Sequence, residues 1–217
     1  MKFSKVLNKM AAVAVCAMSF ASASAYAVPA FDVDPFSVFG AADSSNYSFA
    51  VDFTANQAIT VDALAFFFNT ADVAGSHAVA LFDMNGNKLA ETIVDTADAL
   101  VGHFRYSSIA AVNLIAGTSY RIVGLGNDGE FAASQDVNVN SGISFLQAGV
   151  GDDSNNTSPD FNPAGLSWGN AGDPTDAFWG ASFSFVPTRA EVPEPATYAL
   201  FFAGLGLLLI TRRRKSN

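Results

Sequence analysis

The residues best suited to bind a ligand lie in one polar stretch in the last third of the chain. Residues 149–180 read GVGDDSNNTSPDFNPAGLSWGNAGDPTDAFWG, and their content of Gly, Asn, Asp and Pro predicts a long loop. Asp152, Asp153 and Asp160 supply carboxylate oxygens, the donors that a hard cation such as calcium prefers. These three residues are candidate calcium ligands. The alternative is a hydrated acidic loop that binds no ion, in a protein without a cofactor.

Three aromatic residues of the same stretch are candidates for stacking on sugar rings. Phe161, Trp168 and Trp179 lie in or beside the loop. Exposed aromatic faces there would pack on a sugar while nearby carboxylates and amides bond its hydroxyl groups. The alternative is that the tryptophans cap the hydrophobic core, and this interpretation is favoured for Trp179.

The chain offers little for catalysis. Its only two histidines, His77 and His103, are too few for a zinc site without carboxylates placed beside them. His77, at the start of a strand, is expected to be a hydrogen-bonded edge residue, and His103, which alternates with apolar positions, is expected to face solvent. The sequence contains neither a Gly-x-Ser-x-Gly nucleophile motif nor a glycine-rich phosphate loop that precedes a helix. We therefore predict that the protein is not an enzyme.

The segment FDMNGNK has two interpretations. Asp83, Asn85 and Asn87 alternate as in the start of a calcium loop, but the twelfth position, where such a loop needs Glu, is Val94. Asn-Gly is also the preferred dipeptide of a β-hairpin turn. Because the hairpin accounts for every residue, it is favoured.

The charge distribution excludes nucleic acid as a partner. All 20 acidic residues lie between positions 28 and 211, where only four residues are basic: Lys88, Arg105, Arg121 and Arg189. So acidic a surface repels phosphate backbones, and it keeps a domain with many apolar residues soluble.

The N-terminus predicts secretion. A basic opening, an apolar stretch and small residues up to Ala27 indicate a signal peptide over residues 1–27, cut by signal peptidase. The only cysteine, Cys16, lies in this segment. The exported protein must therefore fold in an oxidising compartment without disulfides.

Residues 28–190 predict an all-β domain. Strands such as YSFAVDF and AFWGASFSF alternate apolar and small or polar residues, which indicates sheets with one buried face. In ITVDALAFFF the apolar phase slips near residues 62–63, which indicates a bulge or burial on both faces. Frequent glycine-containing turns favour an antiparallel β-sandwich of jelly-roll-like form.

Residues 191–217 predict a membrane-anchored tail. Residues 196–211 carry no charge, and as a single transmembrane helix they would span roughly 24 Å, slightly less than the hydrocarbon core. The basic residues that follow favour the cytoplasmic side. Pro193 and Pro195 keep the preceding chain extended.

This tail resembles the PEP-CTERM sorting signal of Gram-negative bacteria. The resemblance rests on Val-Pro-Glu-Pro at 192–195, the glycine-containing apolar segment and the terminal arginines. It implies that Pro193, Glu194 and Pro195 are the motif recognised by an exosortase, and that the stop-transfer cluster is Arg212, Arg213 and Arg214. It also implies export through the inner membrane, transient anchoring and delivery to the cell surface or medium, commonly in bacteria that make exopolysaccharide.

Residues 47–126 resemble a bacterial extracellular β-sandwich module of unknown function, on the hairpin GSHAVALFDMNGNKLAET and the later strand pair VNLIAGTSYRIV. This resemblance implies a fold and no activity. Two functions follow as expectations: a structural or adhesive protein of a biofilm or floc matrix, or a carbohydrate-binding module for the exopolysaccharide, with calcium as a candidate ligand.

Overall fold

The computed structural model describes residues 27–33, 46–68, 75–126, 132–133, 137–152, 157–175 and 178–188. Every regular element in these ranges is a β-strand. In chain order they are β1 (Val28–Pro29), β2 (Phe31–Val33), β3 (Tyr47–Ala55), β4 (Ile59–Phe67), β5 (His77–Asp83), β6 (Lys88–Val94), β7 (Ala99–Val101), β8 (Phe104–Leu114), β9 (Ser119–Gly126), β10 (Ala132–Ala133), β11 (Val137–Val139), β12 (Ile143–Asp152), β13 (Ser167–Trp168), β14 (Phe178–Trp179) and β15 (Ala181–Pro187).

Two antiparallel sheets face each other. One has five strands in the order β1-β15-β4-β8-β7, and the other has six in the order β13-β12-β3-β9-β5-β6. Two short pairs, β2 with β11 and β10 with β14, are added to them. The inner eight strands, β1-β15-β4-β8 facing β3-β9-β5-β6, have the order of a jelly roll. The predicted antiparallel sandwich is confirmed, and β12 extends it at one edge.

The core between the sheets is built by strict alternation. In β3, Phe49, Val51 and Phe53 point inward and are fully buried. Phe183 and Phe185 of β15 do the same from the opposite sheet, as the sequence pattern predicts. A buried Phe contributes about 1.5–3 kcal/mol through removal of its apolar surface from water. This aromatic core supplies the stability that disulfides supply in many exported domains.

The phase slip predicted in β4 is a β-bulge at Asp62. The register on both sides jumps from Val61 to Ala63. On the β8 side, three residues, 109–111, lie opposite this single position. Asp62 accepts a hydrogen bond from the hydroxyl of Ser184 at 2.7 Å, so the displaced carboxylate is paired on the outer face.

The favoured hairpin interpretation of the FDMNGNK segment is confirmed. β5 and β6 pair in antiparallel register, and the amide of Gly86 donates to the carbonyl of Asp83 at 3.1 Å. Gly86 has φ of 86°, a value at which a side chain would be strained. The loop therefore has three residues and closes with glycine in the left-handed region.

No helix among the described residues has the length and apolar character needed to cross a membrane. The predicted signal peptide, apart from its last residue, and the predicted tail at 191–217 lie outside the described residues. The tail residues Pro193, Glu194, Pro195, Arg212, Arg213 and Arg214 are among them.

Candidate functional site

A buried ion pair lies on the outer face of the six-stranded sheet. Asp52 of β3 and Arg121 of β9 are directly opposite each other, and Gln147 of β12 is opposite Asp52 on its other side. Arg121 donates from Nε to Asp52 Oδ1 at 2.6 Å and from Nη2 to Oδ2 at 3.0 Å. The Gln147 amide donates to the same carboxylate at 2.8 Å. The outer face of the sheet thus carries a buried charge pair in which both side chains are hydrogen-bonded.

The pair is buried because the chain folds back over it. Residues 157–168, which we name the covering loop, leave β12 and return to its edge through β13. The remaining nitrogen of Arg121 donates to the carbonyl of Phe161 at 2.7 Å and to Asn162 Oδ1 at 3.0 Å. The guanidinium carbon lies 4.3 Å from the Phe161 ring centroid and 4.7 Å from that of Trp168. Both aromatic rings therefore pack on the cation.

The covering loop is attached at two further places. Near its start, Ser158 donates to Glu91 and accepts from Lys88, at 2.7 Å and 2.9 Å. Farther along, Phe161 meets Phe82 of β5 edge to face, with ring centroids 5.9 Å apart. Beneath the loop lies a small second core: Ala50, Ala80, Phe82 and Val123, packed by Phe161, Leu166 and Trp168. The loop is thus a fixed second layer on this sheet.

The three sugar-stacking candidates lie in two different environments. Phe161 and Trp168 share the cation and are each half-buried. Trp179 is fully buried in the main core, with its ring centroid 5.0 Å from that of Phe31 and 5.6 Å from that of Phe145. Its indole nitrogen donates to the carbonyl of Pro174 at 3.3 Å. Trp179 therefore lies in the hydrophobic core, the position that the sequence interpretation favoured.

Among the described residues, the calcium candidates do not form a metal-binding cluster. Asp152 ends β12 and Asp160 lies in the covering loop, and both are exposed. Asp153 lies outside the described residues. Within the described ranges, no group of three or more His, Cys, Asp or Glu residues is placed to hold a metal ion.

The histidines occupy structural positions. His77 is buried, stacks on Phe66 with centroids 4.0 Å apart, and has Nδ1 at 3.0 Å from the carbonyl of Leu125. It packs in the core, so its ring is not at an edge. His103 follows β7 and is half-buried, where the sequence pattern suggested a solvent-facing position. Burial also raises the pKa of the nearby Tyr106 hydroxyl well above its usual range.

An open groove of about 640 Å³ lies at one end of the sandwich. The β5–β6 turn and the β8–β9 turn form its walls. Its apolar lining includes Met84, Leu89, Val112 and Ile115, and Asp83 is the single charged residue that lines it. The Asp83 carboxylate is occupied by the turn, because it accepts hydrogen bonds from the amides of Asn85 and Asn87 at 2.9 Å each.

The long loop predicted over residues 149–180 includes the covering loop, but the site beneath it was not predicted, and the end of β12, β13 and β14 lie within the same range. Asp52 and Arg121 were visible as charges within otherwise apolar strands, which is the one available signal. Pairing them requires the register of β3 with β9, and this register follows only from the folded sheet.

Two family models match the chain. The model described as "Domain of unknown function (DUF4082)" matches residues 34–161, and the PEP-CTERM protein-sorting motif matches residues 191–215. The predicted sorting signal and the predicted resemblance of the middle to a module of unknown function are thereby confirmed. No curated protein and no solved structure matches the chain.

Proposed function

The chain belongs to the family of the domain of unknown function DUF4082, and we propose that it is a structural or adhesive component of an exopolysaccharide matrix, such as a biofilm or floc. The PEP-CTERM motif makes it an exported substrate of an exosortase, anchored transiently in the membrane before it reaches the cell surface or medium. The matrix role is the proposed part.

The observation that carries this proposal is the attachment of the sorting motif to a β-sandwich whose own loop covers one outer face. The covering loop places Phe161 and Trp168 against Arg121, so a face of each ring packs on the guanidinium group. A rigid, disulfide-free sandwich of this kind fits a scaffold better than an open sugar platform. We likewise propose that the protein acts without catalysis and without a cofactor.

A carbohydrate-binding module is the second candidate, and one observation favours it. Trp168 and Phe161 are only half-buried, and the exposed carboxylate of Asp160 directly precedes Phe161. A sugar could contact the free edges of these rings while the loop stays in place. Calcium would act here by bridging carboxylates of the loop and sugar hydroxyls.

The two functions are separated by combining a matrix measurement with a binding measurement. In a producing strain, loss of the chain should lower the cohesion of the matrix, and the wild-type chain should restore it. Unchanged cohesion would contradict the structural role. Purified protein is then titrated with a broad oligosaccharide panel, with and without calcium, while tryptophan fluorescence is followed. A saturable response that is lost in Phe161→Ala, which keeps both tryptophans as reporters, would establish the binding module instead.

A further inference from the structure

The groove lies at the end of the sandwich from which the tail leaves. Pro187, Ile59 and Leu114 form one cross-strand row of the five-stranded sheet, and Ile115 follows Leu114 directly. In the other sheet, Asp83 is opposite Tyr120, which is itself opposite Phe53 near the end of β3. We name the loops 56–58, 84–87 and 115–118, together with Leu89 and Thr188, the exit end.

Hydrogen bonds tie the start of the tail to the groove. The amide of Thr188, the last described residue, donates to the carbonyl of Ala58 at 2.9 Å. Its hydroxyl lies 3.1 Å from that of Thr60, which in turn donates to Asn113 Oδ1 at 2.8 Å. Asn113 lines the groove. The chain therefore departs for its membrane segment two side chains away from the groove wall.

The exit end exposes apolar side chains around the groove. Met84, Leu89 and Ile115 are 42%, 37% and 69% exposed, and all three line the groove. Asp83 is the one charge among the lining residues, in a domain that is otherwise strongly acidic. An anionic lipid surface repels the acidic remainder of the domain. The exit end, whose groove lining carries a single charge, can approach such a surface and place apolar side chains on it.

The length of the tail limits how far this end can lie from the membrane. Seven residues, 189–195, separate Thr188 from the uncharged segment that begins at 196, and the eight Cα-to-Cα steps between the two reach at most roughly 28 Å in a fully extended chain. We propose that the exit end is a docking surface for the lipid bilayer in which the sorting tail is anchored, with Met84, Leu89 and Ile115 in contact with the lipid interface. The proposal depends on the transient anchoring and is independent of the matrix role.

Docking of this kind depends on the tether. Three partly exposed apolar side chains bind lipid weakly by themselves, but a short linker holds them at an effective concentration in the millimolar range. Cleavage near residues 193–195 removes the tether, so the same contact no longer holds the domain. The exit end therefore orients the domain on the membrane until the protease cleaves the motif. After cleavage the domain dissociates from the lipid.

The test uses the full chain, expressed without the sorting protease and reconstituted into vesicles of phosphatidylethanolamine and phosphatidylglycerol. Cys16 is the only cysteine, so Cys16→Ser allows one labelled cysteine at a chosen place. Ala116→Cys lies in the β8–β9 turn of the exit end, and Ala97→Cys lies in the exposed β6–β7 turn at the opposite end. Both carry an environment-sensitive dye that brightens and shifts to the blue in lipid.

We expect lipid-dependent brightening at position 116 and none at position 97. Met84→Ser with Ile115→Ser should abolish it, whereas Ile93→Ser, at a residue 52% exposed but remote from the groove, should leave it unchanged. A chain that ends at Thr188 should partition onto the vesicles at least on the order of 10²-fold more weakly than the tethered chain.

Three results would overturn the proposal: equal signals at the two labels, a signal that survives the serine changes in a protein with an unaltered melting curve, or a signal that rises with protein density at constant lipid. The last would assign the groove to a second copy of the chain. None of these results bears on matrix cohesion, so failure here is distinguishable from failure of the proposed function.

Discussion

Arg121 and Asp52 form a bidentate ion pair on the outer face of the six-stranded sheet, beneath the covering loop. Both side chains are almost entirely buried. Arg121→Met leaves the Asp52 carboxylate buried without its cation, so we expect the free energy of unfolding to fall by about 3–5 kcal/mol. Chemical denaturation measures this loss. Limited proteolysis should show faster cutting in the covering loop.

The comparison for this substitution is Lys88→Met, which removes an exposed ion pair together with one exposed hydrogen bond to Ser158 of the covering loop. Lys88 also belongs to an ion pair, with Glu91 at 2.8 Å, but both side chains are about one-third exposed. Solvent screens such a pair, and its removal should cost about 0–1 kcal/mol. Equal effects of the two substitutions would show that the Arg121 pair does not hold the loop.

The two tryptophans should respond differently to the same substitution. Trp179→Ala removes a fully buried ring from the main core, and we expect it to cost about 3–5 kcal/mol. Trp168→Ala removes a half-buried ring that packs on Arg121, and about 1–2 kcal/mol is expected. Acrylamide should quench the tryptophan of Trp179→Phe strongly and that of Trp168→Phe weakly. The reverse order of quenching would place Trp179 at the surface.

Asp83 makes the hairpin sensitive to acid. Hydrogen bonds from the Asn87 side chain and from the Asn85 and Asn87 amides lower the pKa of Asp83 below its ordinary value of 3.8. Because the folded-state pKa is depressed, the carboxylate stabilises the fold above that value and loses this effect as the pH falls through the folded pKa. The melting temperature of the wild type should therefore drop between about pH 5 and about pH 2 more than that of Asp83→Asn. Identical pH profiles would contradict the role of this carboxylate.

The sorting motif makes a prediction in the native host. Conversion of Pro193, Glu194 and Pro195 to Ala should cause an uncleaved, membrane-bound form to accumulate, because the exosortase no longer recognises its substrate. Fractionation with immunoblotting measures this. Arg189→Ala, which changes a charged residue just outside the matched residues 191–215, is the control and should be processed normally. Unchanged processing of the triple variant would show that these three residues are not the recognition motif.

The fold was predictable from local patterns because each strand buries alternate residues. Phe49, Val51 and Phe53 show this directly, and the bulge at Asp62 was visible as a slip in the same pattern. The hairpin at Gly86 followed from turn chemistry, although its loop has three residues. These features depend on neighbours in the sequence.

The site was less predictable because its partners are far apart in sequence. Arg121 meets Asp52 from 69 residues away and Phe161 from 40 residues away. A long loop was expected over residues 149–180, and the structure places the end of β12, β13 and β14 within that range. The composition of the segment did not indicate that an arginine of the sheet would hold it. His77 was likewise placed at an edge from its strand phase, whereas the stack on Phe66 requires the opposite sheet.

The bulge of β8 at residues 109–111 affects how neighbouring copies of the protein can pair. Residues 107–115 read SSIAAVNLI, with no charge and no proline, a composition that favours amyloid-like stacking when it forms a flat edge. Residues 109–111 bulge away from the regular ladder, so a neighbouring copy cannot continue the hydrogen bonds along this edge. We therefore expect that this edge of β8 does not template fibril growth in concentrated protein.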